Sequence, residues 1–217
     1  MRYSIGLDEA GRGTLAGSVF VGATAFPTCR KNMVKSTFFF VRDSKKMTAR
    51  ARDEAFLRLN KIAKDQNIWF TVARTTASRI DSHNVSYAAN NAAWRAITKI
   101  IVCITSQDHD ASFDIILDGG LFIKSKQYQK TLHTAIASVS SARTIVRADD
   151  NFFEVSLASV VAKVKRDEYM VRVAKQYPEY CFEKHKGYGT LLHIKAIKRF
   201  GPCFFHRLTF LRKYRTI

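Results

Sequence analysis

The sequence predicts an α/β fold, a mixed five-stranded sheet flanked by helices, with a basic helical annex at the C-terminus. Three observations predict it. Five short β-branched or aromatic runs alternate with stretches of helical periodicity. Strands and helices alternate in the second half, which implies parallel pairing, whereas two strands in succession at the start imply an antiparallel part. Of 217 residues, 47% are hydrophobic, 12% aromatic and only 3 are proline, which excludes a disordered or Pro-rich chain.

Residues 3–8 and 18–26 are strands joined by a Gly-rich turn. Thr48 caps a helix to about residue 64, with Phe56, Leu59 and Ile62 on one face. The Phe38-Phe39-Phe40 run is strand or core. Residues 69–75 form a third strand. A long helix over 84–104 carries Tyr87, Trp94, Ile97, Ile101 and Ile104 on its apolar face. Residues 113–118 and 143–148 are expected as buried strands, with a helix near 125–138 between them. A further helix starts near 153 and turns Leu157, Val160, Val161 and Val164 inward. Thr190 to Arg199 forms a short helix, stopped by Gly201-Pro202. No linker composition divides the chain. Residues 1–217 are therefore expected to be one domain, with an annex over 176–217 packed on it.

Lys and Arg number 36 against 18 Asp and Glu, a net charge of +18. Residues 160–217 hold 14 of these basic residues and 4 acids. Such an excess attracts polyanions, nucleic acid foremost. Cys29, Cys103, Cys181 and Cys203 include no Cys-x-x-Cys pair, so a zinc site is not expected. The start lacks the apolar core of a signal peptide, and no run is long enough for a membrane span. A cytoplasmic, reducing setting with free thiols is expected.

In so basic a chain, acids at the ends of apolar runs need a reason. Asp8 ends the first strand, Asp118 the fourth, and Asp149 follows the predicted fifth. In open α/β sheets ligands bind at that edge. Glu9 follows Asp8 and is expected on the other face or the rim. A lone aspartate there would be a turn residue. Three at matching strand ends repel one another unless a cation is shared. All-oxygen ligands suit Mg²⁺ or Mn²⁺, and two such ions can stabilise both the attacking and the leaving oxygen of a phosphodiester displacement. Beside them, Gly11-Arg12-Gly13 exposes backbone N–H groups able to hold a phosphate or a ribose hydroxyl.

Asp8-Glu9-Ala10-Gly11-Arg12-Gly13 resembles the signature of the ribonuclease HII family. The likeness continues through Asp43-Ser44-Lys45-Lys46, Leu117-Asp118-Gly119, Arg147-Ala148-Asp149-Asp150 and the run from Ser156 to Asp167. It ends with Gly187-Tyr188-Gly189-Thr190 and the stretch from Gly201 to Arg207. Arg12 sets the loop apart from that of ribonuclease HIII. The resemblance implies a ribonuclease H-like fold and endonucleolytic cleavage of RNA in RNA–DNA hybrids. It also implies cleavage at single ribonucleotides embedded in duplex DNA, hence ribonucleotide excision repair, with 5′-phosphate and 3′-hydroxyl products. It further implies that Asp8, Glu9, Asp118 and Asp149 hold Mg²⁺ or Mn²⁺. By the same likeness Gly11, Arg12 and Gly13 read the 2′-hydroxyl, Tyr188 stacks on the following deoxyribose, and Lys45 and Lys46 contact phosphates. The protein would act as a monomer.

Departures from the family pattern carry their own expectations. Thr14 and Ser18 stand where proline is common and would loosen the substrate loop. Leu157 replaces an alanine, a packing change. Asp149 is favoured over Asp150 as ligand by its spacing to Ser159. Lys163, Lys165 and Arg166 are expected to contact phosphate. His185, His193 and His206 fit no zinc spacing and are expected on the surface or in the core, with His206 ordering the tail. Two alternatives are weaker. A resolvase or integrase core has no use for Gly11-Arg12-Gly13 and Tyr188, and a non-catalytic binding module has none for four acids facing a polyanion.

Overall fold

The structure, a computed structural model, describes residues 1–41, 47–122 and 139–214. The expected helix near 125–138, and Lys45 and Lys46, lie outside the described residues. In chain order the strands are β1 (Arg2–Ala10), β2 (Val19–Pro27), β3 (Trp69–Thr75), β4 (Ser112–Asp118) and β5 (Val139–Ile145). The helices are α1 (Lys31–Thr37), α2 (Ala49–Ile62), α3 (Ala77–His83), α4 (Val85–Thr105), α5 (Ala148–Asn151), α6 (Phe153–Gln176), α7 (Phe182–His185), α8 (Leu191–Phe200) and α9 (Leu208–Leu211).

The strands form one sheet in the order β3-β2-β1-β4-β5. β1 runs antiparallel to β2 and parallel to β4, and β5 continues the parallel part. The mixed sheet is as predicted. Its two faces follow from the period-two alternation of strand side chains. Tyr3, Ile5 and Leu7 of β1 pack with Phe113, Ile115 and Leu117 of β4 against α4. The residues between them, Ser4, Gly6 and Asp8, therefore face α6.

The apolar face of α4 differs from the expected one. It is built on Ala88, Ala89, Ala92, Ala93 and Ala96 with Ile97, Ile100, Ile101 and Ile104, while Tyr87 is exposed. Small side chains let this helix lie close to the sheet, so the large aromatic is the one left outside. α6 behaves as expected. Leu157, Val160, Val161 and Val164 join Phe38 of the Phe run and α2's Phe56 and Leu59 in a second core. Thr48 and Thr190 cap α2 and α8, their hydroxyls accepting from Ala51 N–H (3.2 Å) and His193 N–H (3.4 Å).

The fifth strand requires a correction. It spans Val139–Ile145 rather than 143–148, and it is a half-exposed edge strand rather than a buried one. The chain leaves the sheet at Val146, which is exposed, and Arg147 takes a left-handed conformation (φ 56°) that starts α5. Asp149 thus stands in a helical turn beyond the sheet edge.

Two glycines set the distance between α6 and the sheet. A Cβ on Gly6 would lie 2.3 Å from the Glu154 carbonyl carbon, and one on Gly22 would lie 2.2 Å from the Ala158 oxygen. Both obstacles are backbone and cannot rotate away. Gly22→Ala should therefore lift α6 off β2 and cost about 3 kcal/mol, as overpacking does. At this size that lowers the melting temperature by roughly 6–12 °C, readable in a thermal melt.

Candidate active site

The parallel register pairs Leu7 with Leu117, so the next residues, Asp8 and Asp118, stand side by side at the strand ends. Both follow a residue that faces α4, and both therefore point toward α6. Asp8 is 3% exposed and takes hydrogen bonds from the Glu9 N–H (2.7 Å) and from Ser159 of α6. Asp118 Oδ1 accepts the Ala148 N–H at 2.6 Å, which ties the start of α5 to the end of β4. One residue on, Asp149 is buried, and its carbonyl accepts from the Ser156 hydroxyl at 2.6 Å. Asp150 points outward to Arg147 (2.7 Å). Burial thus separates the two neighbouring aspartates.

Burial pushes the Asp8 carboxyl well above the usual carboxylate range, and the nearby charges of Glu9 and then Asp118 add to the shift. This is the electrostatic signature of acids held together against their repulsion. The donor set is wholly carboxylate oxygen, which fits Mg²⁺ or Mn²⁺. Among the described residues no group of three or more His, Cys, Asp or Glu side chains is drawn closely enough together to hold a metal ion.

The loop over residues 11–17 leaves β1 beside these acids. Two fully buried arginines hold it from behind. Arg207 donates through Nη2 to the Gly11 carbonyl (2.6 Å), through Nη1 to the Arg12 carbonyl (2.8 Å) and through Nε to the Gly17 carbonyl (3.0 Å). In a trans peptide the C=O and the following N–H point opposite ways. With the Gly11 and Arg12 carbonyls turned to Arg207, the N–H groups of Arg12 and Gly13 face the other side. Arg166 Nη2 donates to Thr14 Oγ1 (3.0 Å) and the Lys186 carbonyl (2.9 Å). A Cβ on Gly11, at φ 88°, would lie 1.9 Å from Arg166 Nε, so only glycine fits there.

Two expectations are corrected here. Arg166 is a buried brace of the loop rather than a phosphate contact. Thr14 does not loosen the loop, because its hydroxyl lies 3.1 Å from the carbonyls of both Gly11 and Ala16. Lys165 also turns elsewhere, to Glu168 (3.0 Å) and the face of Phe56.

A cleft of about 280 Å³ is lined by Asp8, Glu9, Gly11, Arg12, Gly13, Asp118, Ser159, Lys163 and Tyr188. Glu9 shares this cleft with Asp8 from its rim, with Oε1 3.5 Å from Arg12 Nη1. Arg12 is further steered by Ser86, 2.8 Å from Nη2. The half-exposed Tyr188 ring sits 5.9 Å from Lys163 Nζ. The Gly187 carbonyl accepts from Leu15 N–H (2.8 Å), joining the Tyr188 loop to the Gly11–Gly17 loop. Sequence reading missed Ser86, because a serine on a helix carries no pattern. It also missed the brace role of Arg166, because burial of an arginine is invisible without the fold.

A mixed sheet whose strand-end carboxylates share a cleft with Arg12 and Lys163 fits one class, the metal-dependent nucleic-acid hydrolases. The family model described as Ribonuclease HII matches residues 5–213, and the chain belongs to that family. The ribonuclease HII of Caldicellulosiruptor bescii is 36% identical over 211 residues, covering 97% of this chain and 87% of that one. In fold, the chain is similar to the ribonuclease H2 of Pyrococcus horikoshii OT3, with TM-score 0.63, 22% identity and 99% and 97% of the two chains covered. It is also similar to Bst-RNase HIII in complex with Mn²⁺, with TM-score 0.57, 18% identity and 92% and 63% covered. Membership makes the chain a ribonuclease H-type, metal-dependent endonuclease acting on the RNA of hybrids.

The raised Asp8 value has a sign that can be measured without substrate. At low pH Asp8 is protonated in both folded and unfolded chains and costs nothing. As pH rises above the ordinary carboxylate value, about 3.9, the unfolded chain ionises first and the metal-free fold loses stability until Asp8's raised value is passed. Asp8→Asn should therefore melt higher than the parent protein in chelator. That gap should widen as pH rises and close again on adding Mn²⁺ to the parent.

Proposed function

We propose that this protein cuts DNA duplexes at single embedded ribonucleotides as well as RNA in hybrids, by two-metal hydrolysis leaving 5′-phosphate and 3′-hydroxyl ends. One observation carries the reading. The Arg207 contacts turn two adjacent backbone donors, Arg12 N–H and Gly13 N–H, toward the side where the loop lines a cleft shared with Asp8 and Asp118. A 2′-hydroxyl is the group that separates ribose from deoxyribose, and backbone donors read it independently of base.

Asp8, Glu9, Asp118 and Asp149 are assigned to two Mg²⁺ or Mn²⁺ ions. When bound, such ions lower the pKa of water and stabilise charge on the attacked phosphate. The remaining work falls to the chain. Gly11, Arg12 and Gly13 hold the 2′-hydroxyl and fix which phosphodiester enters the cleft. Tyr188 packs against the next deoxyribose, and Lys163, beside it, faces the backbone. Lys45 and Lys46 are assigned to flanking phosphates. The Mn²⁺ complex of the Bst-RNase HIII neighbour supports the choice of cation.

Three measurements test this. A DNA duplex with one embedded ribonucleotide should be cut at the ribonucleotide with Mg²⁺ or Mn²⁺ and left whole in chelator. Asp118→Asn should lose at least about a hundredfold in rate, the scale of removing a preorganised electrostatic group, while its melting profile stays cooperative. A loss under tenfold would remove Asp118 from the ligand set. Tyr188→Ala should slow the single-ribonucleotide substrate about a hundredfold and a long hybrid far less. One ribonucleotide offers a single register, and a misplacement of about 1 Å is that costly. Equal slowing of both substrates would make Tyr188 a packing residue.

A further inference from the structure

Behind Tyr188 lie three buried histidines, His185, His193 and His206. Every ring nitrogen among them has one defined partner, which fixes the position of every ring proton. His193 Nδ1 lies 2.9 Å from the Tyr188 carbonyl, an oxygen that can only accept, so Nδ1 carries the proton. His206 Nδ1 receives the Cys203 N–H at 2.9 Å and must be bare. The proton of a neutral His206 is then on Nε2, which lies 3.0 Å from His193 Nε2, the bare nitrogen of that ring. His185 has the same logic, with Nε2 donating to the Tyr180 carbonyl (2.8 Å) and Nδ1 accepting the Gly187 N–H (3.2 Å). The His185 and His193 rings are stacked with centroids 4.3 Å apart.

These contacts account for the Tyr188 segment almost completely. Gly187 N–H is held by the His185 ring, Tyr188 N–H by the His185 carbonyl (2.9 Å), and the Tyr188 carbonyl by the Thr190 N–H (2.8 Å) and, as its one side-chain donor among these contacts, by the His193 ring. We propose that His193 is a positioning residue for substrate recognition. A one-way chain of hydrogen bonds runs from the Cys203 amide through His206 and His193 to the Tyr188 carbonyl, and it sets where the Tyr188 ring stands over the cleft. The inference rests on the reading of Tyr188 as a substrate contact.

The direction of the chain is what makes it specific. A second proton on His193 would set two N–H groups facing each other across 3.0 Å, and one on His206 would set its Nδ1–H against the Cys203 N–H at 2.9 Å, so either would break the chain. Burial supports the neutral state, pulling both His193 and His206 down to about 4. An apolar ring in place of His193 would fill the same space and keep the edge contact with Phe182, yet leave the Tyr188 carbonyl without that donor.

The first test uses the unaltered protein. Two-bond ¹⁵N–¹H correlation spectra of the histidine rings at neutral pH should show His193 protonated on Nδ1 and His206 on Nε2. Any other tautomer for His193, or a charged ring, overturns the proposal. The second is a rate ratio, single-ribonucleotide duplex over long hybrid, for His193→Phe, Tyr188→Ala and the double variant. His193→Phe should lower the ratio by about tenfold or more, as a small displacement of a contact does. His193→Asn, which returns an N–H near the Nδ1 position, should restore most of it. The double variant should be no worse than Tyr188→Ala alone, because His193 acts through Tyr188. Additive losses, or an unchanged ratio in His193→Phe while Tyr188→Ala changes it, would overturn the inference. A ratio unmoved by Tyr188→Ala would instead bring down the reading of Tyr188, and this inference with it.

Discussion

The site depends on a guanidinium that touches no substrate. Arg207 takes three carbonyls of the Gly11–Gly17 loop, and by peptide planarity that single side chain decides which way the loop's N–H groups face. Lysine could not replace it, since one ammonium cannot fork to three fixed acceptors along a bend. Arg166 supports the same loop through Thr14 and Lys186, and neither arginine makes a salt bridge among the described residues. Burying two cations without acids is costly unless their protons are consumed by hydrogen bonds; every nitrogen of Arg207 donates to a carbonyl, whereas Arg166 donates through Nη2 and its Nε and Nη1 have no partner among the described residues. Burial and the proximity of Arg166 lower Arg207 to about 9, which still leaves it charged at neutral pH. Two positive charges therefore stand directly behind the face a phosphate would approach.

The other half of the site is placed by the sheet. Alternation along β1 and β4 sends Leu7 and Leu117 to one face and Asp8 and Asp118 to the other, so a register shift of one residue would bury two leucines where the acids belong. Gly6 and Gly22 bring α6 down on that face, so that Ser159 reaches Asp8 and Ser156 reaches the carbonyl of Asp149. Fold and site are coupled through this close approach. The glycines that let the helix pack are also those that let the helix address the carboxylates.

Much of this was legible in the residues. The period-two runs of β1 and β2, the caps at Thr48 and Thr190 and the apolar stripe of α6 are local patterns, and local patterns survive folding. Asp8 and Asp118 were legible as acids ending apolar strands. The end of β5 was not. Residues 143–148 look like a strand, yet Asp118 captures the Ala148 N–H and Arg147 turns left-handed, which are long-range and conformational facts. Ser86 and Arg166 were opaque for the same reason. Their roles come from contacts across separations such as 74 and 152 residues, where no periodicity speaks.

The histidine cluster and the arginine pair divide one task. Both come from the C-terminal region or α6, and both act on backbone carbonyls, Arg166 on the Thr14 hydroxyl as well. Arg207 orients the loop of Gly11, Arg12 and Gly13, while His193 holds the carbonyl of Tyr188. His206 and Arg207 are adjacent in sequence, so one short extended segment, bridged to Ala16, anchors both walls of the cleft. A displacement of that segment would move the Arg12 and Gly13 N–H groups and the Tyr188 ring together and leave Asp8 and Asp118, held by the sheet, where they are. The loop with Tyr188 and the strand-end carboxylates are in this way built on separate parts of the fold, and their relative position is set by how the C-terminal region packs on the sheet.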